Sequence, residues 1–319
     1  MNQLWENGGC TMRKGKSPLL RDLRDNRIKW LMVLPAAIVV ILMCYIPMTG
    51  IVLAFKEFNY FDGVFKSPWV GFKNFKYFFQ SGKAWLTTRN TVLYNIAFLG
   101  VNTVLQITCA IMLSEIAGKF FKRVAQSVMF FPYFISWVVV GAFIYNMFNY
   151  EFGAVNSFLK SIGVEPIDVY SIKGAWPFIL IAVSAFKNVG YGTVMYLASI
   201  VNIDEHLYEA ADLDGATMWQ KIWHITLPSI RPTIVILLLM AIGTIMKGDF
   251  QMFWQVTGNN PMVLDVTDVI DTYVNRSLLD LQEFGMTSAA GLYQSGLSFA
   301  LVLLANHLVK KVEPDYALF

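Results

Sequence analysis

The chain has 319 residues, of which 56% are hydrophobic and 15% charged, with a mean hydropathy of +0.50. A water-soluble domain carries about 25% charged residues, so this balance excludes an ordinary soluble enzyme and points to the bilayer. With a formal charge of +3, no nucleic-acid partner is expected.

Residues 1-28 read as a basic tail, with Arg13, Lys14, Lys16, Arg21, Arg24 and Arg27 against Glu6, Asp22 and Asp25. Basic residues ahead of a first span mark the cytoplasmic side, which places the N-terminus there. The first uncharged stretch, Trp30 to Phe55, is 26 residues long, and two more follow, 25 residues from Asn90 to Ser114 and 27 from Val124 to Tyr150. As helices these reach roughly 38 to 40 Å, beyond the ~30 Å hydrocarbon core. The first is too long for a signal-peptide apolar region and lacks a small-residue cleavage site, so it is expected to stay in the mature protein. Pro35 and Pro47 in this stretch and Pro132 in the third are candidate kinks. Cys10, Cys44 and Cys109 are odd in number, without metal-type spacing, and imply no disulfide framework or metal.

Between the first two stretches, Phe58 to Phe79 interleaves aromatics with lysines, the composition of an interfacial segment or of a packed external loop. Lys56, Lys66, Lys73, Lys76, Lys83 and Arg89 argue against placing this loop outside. Lys119, Lys122 and Arg123, and Lys310 with Lys311, support it.

Three further candidates are Trp176 to Ile200, Pro232 to Val256 and Met286 to Val309. Lys187 interrupts the fourth, with Asn188 and Tyr191 beside it; Lys247 and Asp249 interrupt the fifth, followed by Phe250 and Trp254. An ionisable group at membrane depth costs about 2.5 to 3.5 kcal/mol on insertion scales, so it faces a partner or a wet cavity. These seven residues are candidates to line a substrate path, because hydroxyls suit polar side chains, ring faces suit aromatic ones, and lysine favours a carboxylate. The alternative is a Lys–Asp pair that only braces the spans. Thr257 to Glu283, acidic and polar, reads as a solvated external loop. In the sixth stretch Gly291 and Ser295 suit close helix packing.

Lipid leaves no partner for a bare peptide group, and these runs do not alternate like barrel strands. The expected fold is an all-α integral membrane protein of six transmembrane helices, both termini cytoplasmic. A six-span domain occupies 29-312, with a short tail at 313-319.

The polar loop 202-231, between the fourth and fifth stretches, carries two helix-start signatures. Asn202 with Glu205 fits a capping box and predicts a helix over 203-214 that Gly215 halts. Thr217 with Gln220 repeats the pattern and predicts a second short helix, broken at Leu227-Pro228.

Within this loop, Glu209-Ala210-Ala211, three residues, Gly215, nine residues, then Ile225-Thr226-Leu227-Pro228 resembles the E-A-A loop of ABC importer permeases at seven defining positions, Thr226 being unconstrained. Trp69-Val70-Gly71-Phe72-Lys73-Asn74-Phe75 and Phe130-Phe131-Pro132 look like motifs of the carbohydrate-type members. The resemblance, over roughly 20 to 312, implies a type I importer permease taking an oligosaccharide from an external binding protein. It further implies a second, similar permease and two copies of a cytoplasmic ATPase that bind the ATP and magnesium. Glu209 would then offer a carboxylate to the ATPase, Ala210 and Ala211 would allow close approach, and Gly215 the sharp turn. ATPase closure would push this coupling loop and rotate the spans, and this chain itself would hold no cofactor.

Other readings fit less well. Gly15-Lys16-Ser17 ends like a phosphate loop, but Cys10 stands where that loop needs glycine. His206, His224 and His307 offer no metal-type spacing, so no catalytic or metal centre is expected. A secondary carrier coupled through intramembrane charges would have no use for a docking loop, and six spans lack an evident inverted repeat.

Overall fold

The computed structural model describes residues 26–312; most of the basic tail and the segment 313-319 lie outside them. Two compact units divide at Val52 and Leu53. In the first, α1 (Arg27–Val40) runs on through a π-turn, Ile41–Tyr45, and none of its residues is buried. Pro35 sits inside α1 without ending it. Pro47 follows just beyond the π-turn, where the looser winding relieves the clash that a proline ring makes one turn back.

The second unit is a helical bundle whose axis is a long pair, α3 (Lys83–Ser114) and α7 (Trp176–Val201). Around them stand α4 (Lys119–Phe134), α9 (Leu227–Gly243) and α12 (Phe284–Val312). Gly190 sets the crossing of α7 with α4, since a Cβ there would fall 1.8 Å from the Met129 carbonyl oxygen. Ala110, Leu113, Tyr196, Leu197 and Ile230 fill the core at one end, and Tyr94, Trp137, Leu180, Phe253 and Val269 fill it at the other. Among the described residues, five helices are long and apolar enough to cross a membrane, and a sixth span results when one bent pair is joined. Among the described residues there is no strand, only an isolated bridge between Lys56 and Trp69.

One expected kink is present, and two expectations need correction. At the candidate kink Pro132 the third span bends, α4 and α5 (Trp137–Phe148) meeting at an elbow of 92°. Pro132 and the extended Ile135 and Ser136 end α4, and Ser136 caps α5 by accepting from the Val139 amide; the short α6 (Ala154–Ser161) follows α5. The fifth span ends at Gly243, so Lys247 and Asp249 lie in the break before α10 (Phe250–Thr257), not inside a membrane helix. Met252, Phe253 and Val256 of α10 are buried against protein rather than lipid, which is why their hydropathy mimicked a continued span.

The acidic segment after α10 is not a solvated loop. It folds back through a helical turn, Leu264–Thr267, and α11 (Ile270–Leu279). Asn90 Nδ2 donates to the Asp265 and Asp268 carbonyls, Thr91 Oγ1 accepts from the Ile270 amide, and Tyr94 donates to the Val266 carbonyl. Asp268 is fully buried and paired with Arg276.

The aromatic segment 58–79 is a packed loop with exposed rings. Lys56 is buried and donates to the Val64 and Phe65 carbonyls. In the 69–75 motif, Gly71 supplies a φ of +60°, a left-handed turn that other residues adopt only with strain. Trp69 stacks on Phe55, and Asn74, at the start of α2 (Lys73–Gln80), donates to the carbonyls of Leu53, Ala54 and Lys56.

Candidate functional site: a docking loop and a polar groove

The 202-231 loop opens with α8 (Glu205–Leu213). Its N-cap is Asp204, which accepts from the His206 amide at 3.1 Å, so the expected cap at Asn202 and the start at 203 are corrected by two residues. A helix ends here as anticipated. Gly215 adopts φ +75°, and the Ala216 amide closes on the Ala211 carbonyl at 2.9 Å, the six-to-one bond of a left-handed C-terminal cap. Thr217 and Gln220 form the capping box of the next turn, Met218–Lys221.

The second helix does not stop at Pro228. It passes through a π-turn, Ile222–Thr226, straight into α9. The π-turn frees the position where the Pro228 ring and missing amide would otherwise break the ladder. The loop is therefore one short helix lying beside the foot of a membrane span.

Two polar contacts join them. Tyr208 Oη and Thr226 Oγ1 are 2.9 Å apart, and Lys221 Nζ donates to Asp212 Oδ1 at 2.8 Å. Thr226 is buried, so the position left open by the motif is the one that anchors α8. Glu209 is exposed and contacts His206 at 3.1 Å. Ala210 is exposed and Ala211 half-buried. Ala211, Gly215 and Ile225 border a cleft of about 290 Å³. Leu227 is half-buried and Pro228 exposed at the start of α9. Leu207, Leu213, Trp219 and Trp223 project from this surface, Leu213 at 90% exposure. Such an exposed apolar ledge rimmed by charges is a candidate contact surface for a protein or a membrane.

The seven residues expected to line a path do not converge on one site. Lys187 is buried at the elbow, donating to the Tyr133 carbonyl at 2.9 Å and to those of Pro132 and Ile135. Asn188 Nδ2 is spent on the Ser184 carbonyl. Tyr191 stacks on Tyr133 with centroids 4.8 Å apart and borders a groove of about 410 Å³ between α3, α7 and α9. Asp249 caps α10 by accepting from the Met252 amide. Phe250 and Trp254 pack together at 5.4 Å. Lys247 is exposed, and its carbonyl accepts from Asn95 Nδ2 at 3.2 Å.

The groove is lined by residues that the sequence reading passed over: Asn95, Asn102 and Gln106 on α3, with Thr244 at the end of α9. Their spacing of seven and four residues puts the three amides on one helical face, a signal present in the sequence but masked by its lack of charge. Asn102 donates to Ser184 Oγ at 3.3 Å, while its Oδ1 has no protein partner. The break between α9 and α10 is pinned by two more unanticipated residues. Asp271 accepts from the Gly248 amide at 2.6 Å and from Gln294 Nε2 at 2.8 Å, and Gln294 also donates to the Met246 carbonyl at 2.7 Å.

Several apolar spans, with a polar groove between three of them, are the architecture of a membrane transport subunit. Residues 106–314 match the family described as the binding-protein-dependent transport system inner membrane component, and the chain belongs to that family. It is 32% identical to protein LplB of Bacillus subtilis (strain 168), over 96% of this chain and 95% of that protein. It is 33% identical to the polygalacturonan/rhamnogalacturonan transport system permease protein YteP of the same organism, over 94% of this chain and 92% of that protein. Among solved structures, a chain of a bacterial ABC transporter involved in the import of the acidic polysaccharide alginate superposes with a TM-score of 0.84. It shares 31% identity, over 92% of this chain and 99% of that one. The protein is a multi-pass membrane permease of the ABC importer type and not an enzyme.

Proposed function

We propose that this permease imports an oligosaccharide that carries acidic sugars, delivered by an external binding protein and driven by ATPases docked on the 202-231 loop. The observation that carries the reading is the clamping of α8 to two spans at once. α7 ends at Val201, three residues before the Asp204 cap, while Tyr208 and Asp212 hold α8 to the helix that becomes α9. A push on α8 is therefore delivered to the fourth and fifth spans together.

Two copies of an ATPase would bind the nucleotide and magnesium, and a second, homologous permease would complete the channel. Leu207, Leu213 and the Ala210–Ala211 surface face the ATPase, with Glu209 offering a carboxylate to a donor there. ATP-driven closure pushes α8, turns the spans and opens the groove outward, and hydrolysis resets it. No covalent step falls on the sugar.

With their NH2 groups engaged by the protein, Asn95, Asn102 and Gln106 offer side-chain carbonyl oxygens that accept from hydroxyls, Tyr191 supplies a ring face, and Lys247 beside the groove favours a carboxylate. The alginate and polygalacturonan importers to which the chain is similar handle acidic polysaccharides, which supports that substrate class. The test is a photocrosslinker at Leu213 in the assembled complex: the reading expects adducts with the ATPase, and adducts with lipid alone would overturn it.

A further inference from the structure

We infer that Lys187 is a positioning residue, a buried clamp that locks the elbow of the third span to α7 and α10, and not a contact for the substrate. The elbow gathers carbonyls at the C-terminal end of α4, at the negative end of the helix dipole, and among them that of Pro132 also accepts from the Ile135 amide at 3.2 Å. An ammonium has three donors and no acceptor. Lys187 Nζ meets three carbonyls, those of Pro132 at 3.5 Å, Tyr133 at 2.9 Å and Ile135. The Trp137 ring lies 5.0 Å away and the Tyr133 ring 5.8 Å away, within range of a cation–π attraction that strengthens out of water. With its donors engaged and the side chain buried, no N–H is left for a sugar carboxylate.

The clamp reaches a third element through α5. α10 in turn packs on α5 so closely that a Cβ on Gly141 would fall 2.5 Å from the Gln255 carbonyl oxygen. One ammonium thus ties α7, the α4–α5 elbow and α10 into a single body. Since α7 leads directly into α8, displacement at the docking loop is carried to α5 and α10 without slack. This last step rests on the proposed lever action of α8; the clamp itself does not.

The test measures rigidity, not transport, so failure of the importer reading would leave its result standing. Nitroxides at Phe143 of α5 and Phe178 of α7, both well exposed, are placed in the assembled complex after Cys10, Cys44 and Cys109 are replaced by serine. Their distance distribution is recorded in lipid nanodiscs, without nucleotide and with the ATPases trapped by ATP and vanadate. The natural protein is expected to give one narrow distance, equal in both states. Lys187→Met is expected to broaden it at least twofold, and Lys187→Arg, which restores donors to the same carbonyls, to narrow it again. A distribution in Lys187→Met as narrow as the natural one overturns the assignment. If Lys187→Met does not assemble, Trp137→Leu, which removes the ring face and keeps the ammonium, decides: broadening supports the clamp and an unchanged distribution refutes it.

Discussion

Tyr208 and Thr226 meet hydroxyl to hydroxyl at 2.9 Å, one on α8 and the other in the π-turn at the foot of the fifth span. Thr226 is buried and also approaches the Lys221 carbonyl at 3.5 Å, so the π-turn and α8 share one anchor. Such a hydrogen bond contributes about 1 kcal/mol. Tyr208→Phe is expected to lower ATP-coupled uptake by about fivefold while leaving assembly intact, read as transport per ATP hydrolysed in proteoliposomes. Unchanged stoichiometry would remove this bond from the lever.

Gly215→Ala probes the turn alone. A Cβ there meets no atom within 4 Å, so the substitution adds no clash, and its cost is that of a left-handed backbone, about 1 to 2 kcal/mol. The variant is expected to assemble with the ATPases about tenfold more weakly, with Gly215→Asn intermediate because asparagine tolerates that region better. Equal affinities measured by titration of detergent-solubilised subunits would show that the loop does not need the turn.

Arg276 is the counter-charge of a carboxylate buried in the outer layer. Removing one partner of a buried pair costs roughly 3 to 5 kcal/mol, so Arg276→Ala should lower the melting temperature near neutral pH. Burial pushes the Asp268 carboxyl upward, and Arg276 and Thr272 oppose that shift. Loss of Arg276 raises it further. For an acid whose folded pKa lies above its unfolded value, stability is greatest below the unfolded pKa and is lost as pH rises through the folded one. The gap between variant and natural protein is therefore expected to narrow as the pH falls through the carboxylate range. A gap of constant size across that range would mean that packing, not charge, is lost.

Much of the bundle was legible because lipid imposes a simple code: long uncharged stretches, polar connections and basic flanks. The 202-231 loop was legible for a different reason, since Gly215 and the Thr217–Gln220 pair act through local backbone chemistry that needs no tertiary context. The cap at Asp204 was missed because Asn202 carries an equally good cap side chain two residues earlier, and only the observed backbone chooses between them. Pro132 marked the elbow in the sequence, whereas the early end of α9 was hidden because hydropathy does not separate burial against lipid from burial against protein. Phe253 and Val256 look like membrane residues and are instead core. Lys187 and Asp249 showed themselves as anomalies of charge. Asn95, Asn102 and Gln106, uncharged, did not.

Lys247 and Lys187 make opposite predictions about charge. Lys247 is exposed beside the groove, and an exposed pair contributes up to about 1 kcal/mol. Lys247→Ala is expected to reduce uptake of an oligogalacturonate by about fivefold and to spare a neutral arabino-oligosaccharide, compared by radiolabel accumulation. Equal losses for both sugars would take Lys247 out of the substrate path.

The most direct measurement is uptake of labelled oligogalacturonate into proteoliposomes holding the complete complex, with ATP inside or with an imposed proton or sodium gradient alone. The account predicts accumulation only with ATP, abolished by Glu209→Ala combined with Gly215→Pro when the complex is reconstituted at subunit concentrations that overcome the weaker assembly. Accumulation driven by the gradient without ATP, untouched by those loop substitutions, would contradict it.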